Sequence, residues 1–159
     1  MRALIFTFFL FSIICISNGQ NICYNEDSLS LKLLDAIKSE NFAHLQALQP
    51  SAVMLKKGFE KELKGKSEDA IQKMISENPK TKSDWNKIIT EAKKSKVNLD
   101  KLKLGSVLLT FPFGNEHPLA GMEVTYLLEK KTYKLSIAVV RDGSCLYFNE
   151  FLNSGSVWE

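Results

Sequence analysis

The stretch EVTYLLEKKTYKLSIAVVRDG, residues 123–143, decides the fold class of this chain. Apolar and polar residues alternate on both sides of Lys130-Lys131, which predicts two strands, 122–129 and 132–140, each with one buried face. The connection between them is too short to join parallel strands, and Asp142-Gly143 after the second strand is a strong hairpin turn. The predicted strands are therefore antiparallel neighbours.

The rest of the chain divides into helices before this stretch and strands around it. The same period of two predicts a strand at 106–111 and a last strand at 145–152. From Asp27 to about Lys96, apolar residues instead recur at helical spacing, which predicts five helices. This order is typical of the α+β class. We predict a single α+β domain, residues 20–159, in which N-terminal helices pack on a curved C-terminal antiparallel sheet of about four strands.

Capping and breaking residues set the expected helix boundaries. Asp27 or Ser28 is predicted to cap the first helix, and Ser83 is predicted to cap the fifth. The third helix is expected at about 52–64, and the fourth stops at Asn78-Pro79, because proline disfavours helix in the residue before it.

Residues 1–19 have the anatomy of a secretory signal peptide. A single Arg2 precedes a mostly apolar run at 3–16, and the small residues Ser17 and Gly19 precede the expected cleavage site. The run is shorter than the roughly 20 residues that a membrane-spanning helix needs. We therefore predict cleavage after Gly19, a secreted or periplasmic location, and no transmembrane segment in the cleaved protein; a retained signal anchor is the alternative.

Cleavage would leave two cysteines, Cys23 and Cys145. In an oxidising compartment an even pair is a disulfide candidate, and closing so long a loop stabilises the fold by roughly 4 kcal/mol in the entropic model. Two separate buried thiols are the alternative. Lipid attachment at Cys15 would instead anchor the protein to a membrane, but Ile14 stands where the lipobox pattern has a small residue.

Charge and histidine content argue against several classes of protein. A formal net charge of +3 is too small an excess for the phosphate contacts of a nucleic-acid-binding protein. The two histidines, His44 and His117, have no HExxH or CxxC companion, so we predict neither a metal site nor a cofactor. Lysine-rich stretches at 56–66 and 93–103 could attract an anionic surface, although the acidic residues among and beside them are typical of solvated helix faces.

The connection between the first two strands, residues 112–121, is the best candidate for a functional site. It is long for a hairpin, and long loops are more often functional than short ones. Within it Glu116 precedes His117, and either could act as an acid or base. Aromatic side chains of the strand half could line an apolar cavity, or else fill the core. The ones we select as candidate ligand contacts are Phe111, Phe113, Tyr126 and Tyr133.

The segment LLDAIKSENFAHL, residues 33–45, followed by further helices and a terminal meander, resembles the cone-shaped, cystatin-like α+β superfamily of nuclear transport factor two and ketosteroid isomerase. The resemblance implies a curved sheet that wraps the helices around a pocket, with an Asp or His as acid or base in the enzymatic members. The predicted strands contain neither residue type. The chain also departs from the superfamily by an extra helical stretch at 52–78, and it lacks the Gln-x-Val-x-Gly hairpin of cystatin inhibitors.

These patterns predict an exported, non-enzymatic domain that binds a small apolar ligand or a partner protein. The alternative is a small pocket enzyme of the isomerase or hydro-lyase type that uses His117 or Glu116.

Overall fold

The computed structural model describes residues 22–155 and 157–158, so the predicted signal peptide at 1–19 and Cys15 lie outside the described residues. Within these ranges five α-helices and a short 3-10 helix precede four strands. The helices are α1 (Glu26–Lys38), α2 (Phe42–Gln46), α3 (Ala52–Gly58), α4 (Glu68–Ser76), α5 (Pro79–Lys94) and the 3-10 turn Leu99–Lys101. The strands are β1 (Lys103–Thr110), β2 (Leu119–Leu128), β3 (Lys131–Asp142) and β4 (Cys145–Phe151).

The four strands form one open antiparallel sheet in the order β1-β2-β3-β4, which confirms the predicted α+β class. Each strand lies within a few residues of its predicted position. The largest differences are at β1 and β2, which each begin three residues earlier than predicted, at Lys103 and Leu119. β2 begins early because Leu119 and Ala120 still pair with Val140 and Val139 of β3. This extension of the ladder shortens the predicted loop 112–121.

The core lies between one face of the sheet and the helices. The predicted alternation is confirmed in β2 and β3, where every second side chain is buried from Ala120 to Tyr126 and from Tyr133 to Val139. On the opposite face, Glu123 and Lys134 form an ion pair of 3.0 Å across the β2–β3 ladder. Helices α1 and α5 contribute the facing apolar residues, among them Leu33, Ile37 and Ile88.

Two helices start earlier than predicted. Asn25, rather than Asp27 or Ser28, caps α1, and Ser28 completes the capping box three residues later. Asn78 caps α5 through its Oδ1, which accepts from the backbone N–H groups of Lys80 and Thr81 at 3.0 and 3.3 Å. The prediction that Ser83 caps α5 is therefore wrong. Pro79 suits the first helical position, because it has no N–H that needs an acceptor and its φ angle is already helical.

A disulfide between Cys23 and Cys145, whose Cα atoms are 4.8 Å apart, confirms the predicted pairing. Beside it, the backbone N–H of Leu146 donates to the carbonyl of Tyr24 at 2.8 Å. The N-terminal segment therefore covers one end of β4, the edge strand. Among the described residues, none of the helices is long and apolar enough to cross a membrane.

Candidate functional site

The connection between β1 and β2 is a structured loop, residues 111–118, which we call the aromatic loop. Two successive turns shape it: the N–H of Gly114 donates to the carbonyl of Phe111 at 3.1 Å, and the N–H of His117 donates to the carbonyl of Gly114 at 3.2 Å. Gly114 has a φ of 90°, a backbone conformation that favours glycine. The loop backbone is therefore held by its own hydrogen bonds.

Arg141, at the end of β3, ties the aromatic loop to the sheet at three points. Its Nη1 donates to the carbonyl of Asn115 at 2.6 Å, and its backbone N–H donates to the carbonyl of Pro118 at 2.7 Å. The guanidinium carbon lies 4.8 Å from the centre of the Phe111 ring, within the range of a cation–π contact. One side chain thus holds both the middle and the start of the loop.

His117 acts within the aromatic loop as a hydrogen-bond acceptor. Its Nδ1 accepts from the backbone N–H of Leu119 at 3.1 Å, so this nitrogen carries no proton in the described geometry. The imidazole packs near two aromatic rings, and its centre lies 4.9 Å from that of Phe113 and 6.4 Å from that of Phe59. These contacts assign His117 a positioning role in the loop.

Glu116 does not join His117 in an acid–base pair within the described structure. Its side chain is exposed, and neither a hydrogen bond nor an ion pair connects it to His117 or to another described residue. Catalysis by Glu116 or His117 stays a prediction, because the described structure does not join the two side chains by a hydrogen bond.

The C-terminal end of α3 packs under the aromatic loop. A Cβ atom placed on Gly58 would lie 3.3 Å from the Cβ of Pro118, which shows how closely the helix approaches. Next to it, Lys57 donates to Asp142 at 2.8 Å, and this hydrogen bond raises the pKa of Lys57. Helix α3 and the β3–β4 turn therefore flank the loop with a pair of opposite charges.

The aromatic side chains of the loop remain largely in solvent although the backbone is held. Phe113 is 66% exposed and Phe111 is 37% exposed. Single exposed apolar residues are common, but here two rings project from one fixed loop. The result is a small apolar surface with a defined shape.

The four aromatic residues that we predicted as ligand contacts lie in two different parts of the structure. Phe111 and Phe113 lie in the aromatic loop, whereas Tyr126 and Tyr133 belong to the buried core. Tyr126 is fully buried, its hydroxyl has no partner among the described residues, and burial raises its pKa. Tyr133 packs edge-on against Trp158, with ring centres 5.3 Å apart. Since both tyrosines sit on the helix-facing side of the sheet, the four rings do not form one surface.

Sequence reasoning missed two residues of the site, Arg141 and Phe59. The position of Arg141 follows from the register of the β2–β3 hairpin, because pairing of Leu119 with Val140 puts Arg141 beside Pro118. Phe59 has no comparable signal, since it reaches the loop through the packing of α3.

In the part of the chain that the structure describes, no three His, Cys, Asp or Glu side chains group together in a way that could hold a metal ion. Among the lysines of the two lysine-rich stretches, Lys57 pairs with Asp142 and Lys94 pairs with Glu91. Comparison with known proteins gave no match to a family model, a curated protein or a solved structure.

Proposed function

We propose that this protein is an exported, non-enzymatic binding domain that docks on a partner protein through the aromatic loop. The observation that carries the proposal is Phe113, a large ring that is 66% exposed on a backbone held by hydrogen bonds. Aromatic anchors dominate the energy of many protein interfaces. A ring presented on a fixed loop also loses little conformational entropy on binding, which favours affinity.

The charges around the aromatic loop indicate what the partner offers. Lys57 is paired with Asp142, and the loop region adds one cation, the guanidinium of Arg141, and one exposed carboxylate, Glu116, so these four charges sum to zero. We therefore expect an apolar pocket on the partner that accepts the Phe113 ring, and an affinity that changes little with salt.

Export is supported by the leader-like residues 1–19 and by the Cys23–Cys145 disulfide, because disulfides persist in oxidising compartments. The enzymatic alternative draws less support, since the Nδ1 of His117 is occupied by the Leu119 N–H.

The test is photo-cross-linking from position 113, carried out on the exported fraction of the producing cells. A photoreactive phenylalanine analogue replaces Phe113, and the same analogue replaces Leu152, which is similarly exposed at 58% but follows β4, where its backbone N–H donates to the carbonyl of Ser136. The protein captured from position 113 is then purified for direct binding measurements by calorimetry.

We expect Phe113→Ser to weaken binding at least tenfold, in keeping with the loss of an aromatic anchor, and Leu152→Ser to leave it unchanged. Equal capture from both positions, or an unchanged affinity of Phe113→Ser, would contradict the proposal.

A further inference from the structure

A second, separate feature of the molecule is an apolar pocket between α3, α4 and β4. Its volume is about 170 Å³. Its walls are formed mainly by aliphatic and aromatic side chains, of which the principal ones are Leu55, Ile71, Ile75 and Phe148. Ile71 and Phe148 are almost completely buried and form the base of the pocket, which is partly open to solvent.

Uncharged amide side chains line this pocket, and charged side chains do not. Gln49 and Asn149 contribute to the lining, and no described hydrogen bond engages their side-chain amides. The charged residues of α4 and its C-terminal end are all exposed, and none of them lines the pocket; they are Glu68, Asp69, Lys73 and Glu77. Because an ionised ligand would lose hydration without gaining a counter-charge, the lining selects neutral molecules.

Helix α4 covers the pocket through a small number of contacts. Two long-range polar contacts hold it: Gln46 donates from Nε2 to the carbonyl of Ser76 at 3.0 Å, and the Oε1 of Gln72 accepts from the N–H of Ala52 at 3.3 Å. Apart from Ile71, its residues are exposed or half-buried. A ligand can therefore displace this helix slightly without opening the main core.

We propose that this pocket binds a neutral small molecule with an apolar body, the size of a single ring or a short alkyl chain, and one hydrogen-bonding group. The volume is close to that of an engineered apolar cavity of about 150 Å³ that takes up benzene. The apolar body would lie against Ile71 and Phe148, and the polar group would meet the amides of Gln49 and Asn149. This site shares no residue with the aromatic loop.

Benzyl alcohol is the probe, and benzoate, which adds a charge to the same ring, is its matched control. Each is titrated into the disulfide-bonded protein, labelled with ¹⁵N, and backbone amide shifts are followed by NMR. We expect saturable shifts at Ile71, Ile75 and Phe148 with benzyl alcohol, and at least tenfold weaker binding of benzoate.

Two substitutions separate the pocket from the rest of the surface. Ile75→Phe adds volume at a half-buried wall and should abolish binding of benzyl alcohol, whereas Val53→Phe, on the exposed side of α3, should leave it unchanged. Phe113→Ser should also leave it unchanged, so failure here and failure of the aromatic-loop proposal are distinguishable.

If Ile75→Phe does not fold, Asn149→Leu tests the proposal instead. Removal of this amide should weaken benzyl alcohol more than toluene, which has no hydroxyl group. The proposal is overturned if benzyl alcohol causes no saturable shift or if its shifts map to the aromatic loop. It is also overturned if folded Ile75→Phe binds benzyl alcohol as the parent protein does, or if folded Asn149→Leu binds benzyl alcohol and toluene as the parent protein does.

Discussion

Two irregular segments of this protein contain aromatic residues, and these residues differ in burial. In residues 152–155 and 157–158, which we call the C-terminal clasp, Trp158 is 6% exposed, whereas Phe113 in the aromatic loop is 66% exposed. The Trp158 indole N–H donates to the carbonyl of Ile88 at 2.7 Å and the ring packs on Tyr133. Trp158 is therefore part of the core although it lies outside the helices and strands, because its ring packs on Tyr133 and its N–H has an acceptor on α5.

Side-chain hydrogen bonds complete the C-terminal clasp. Ser154 donates its hydroxyl to Asp84 at 2.8 Å, and the Oδ1 of Asn153 accepts from the N–H of Ser136 at 2.6 Å. In the aromatic loop, hydrogen bonds hold the backbone, whereas the Phe111 and Phe113 rings contact Arg141 and His117 on one side and remain partly or largely exposed to solvent. This difference separates a segment that stabilises the domain from one that is available for binding.

The largest expected effect is that of Trp158→Ala. The substitution removes a buried ring and leaves a cavity, so we expect the free energy of unfolding to fall by about 3–5 kcal/mol. Urea denaturation followed by circular dichroism measures it. A loss below about 1 kcal/mol would mean that the clasp does not belong to the core.

The next prediction concerns Asp84, which anchors the clasp. Burial alone would raise the pKa of Asp84, but hydrogen bonds from Lys80 and Ser154 outweigh it and lower the pKa. Because the folded pKa lies below the unfolded one, this stabilisation is present above the ordinary value of about 3.9 and is lost as the pH falls through the folded pKa.

Asp84→Asn should therefore lower stability by about 1–2 kcal/mol at pH 7, since charge-assisted hydrogen bonds are lost. The difference from the parent protein should shrink as the pH falls below about 4. Urea midpoints at pH 7, 5 and 3 measure both effects. A difference that is constant over this range would contradict the assigned role of the carboxylate.

A smaller effect is expected at His117, within the aromatic loop. His117→Ala removes the acceptor for the Leu119 N–H and should cost about 1 kcal/mol. His117→Asn keeps an acceptor at the position of Nδ1 and should cost less. Hydrogen exchange at the Leu119 amide distinguishes the two: fast exchange in the alanine variant and slow exchange in the asparagine variant are the expected results, and equal rates would refute the assignment.

The smallest effect on stability is expected for Phe113→Ser. The ring is mostly in solvent, so the free energy of unfolding should change by less than about 0.5 kcal/mol. A loss as large as that of Trp158→Ala, measured in the same urea series, would show that both segments serve the core and would remove the contrast between them.

The sheet and most helices were predictable because their signals are local. Alternation at residues 123–143 and the two short connections determine antiparallel neighbours without reference to the helices. The disulfide was a candidate as well, since the predicted cleavage after residue 19 would leave only Cys23 and Cys145. The helix starts at Asn25 and Asn78 were not predictable, because several capping residues stand close together at each start and compete.

The candidate site was predictable only in part. The connection between β1 and β2 and its residues Phe111, Phe113 and His117 were identified from the sequence, but the placement of Tyr126 and Tyr133 in the core was left open. That placement depends on which face of the sheet the helices cover. The resemblance to the cone-shaped superfamily stays a prediction.

The sequence alone therefore determined the α+β class and the antiparallel order of the strands, because periodicity and turn length are properties of neighbouring residues. It made Cys23 and Cys145 a disulfide candidate, which the structure confirmed. The tertiary structure alone decided that Trp158 is buried while Phe113 is exposed, and that Arg141 holds the aromatic loop. The physical reason is distance along the chain. Burial of Trp158 requires an acceptor on α5, 70 residues away, and such a contact leaves no trace in local sequence.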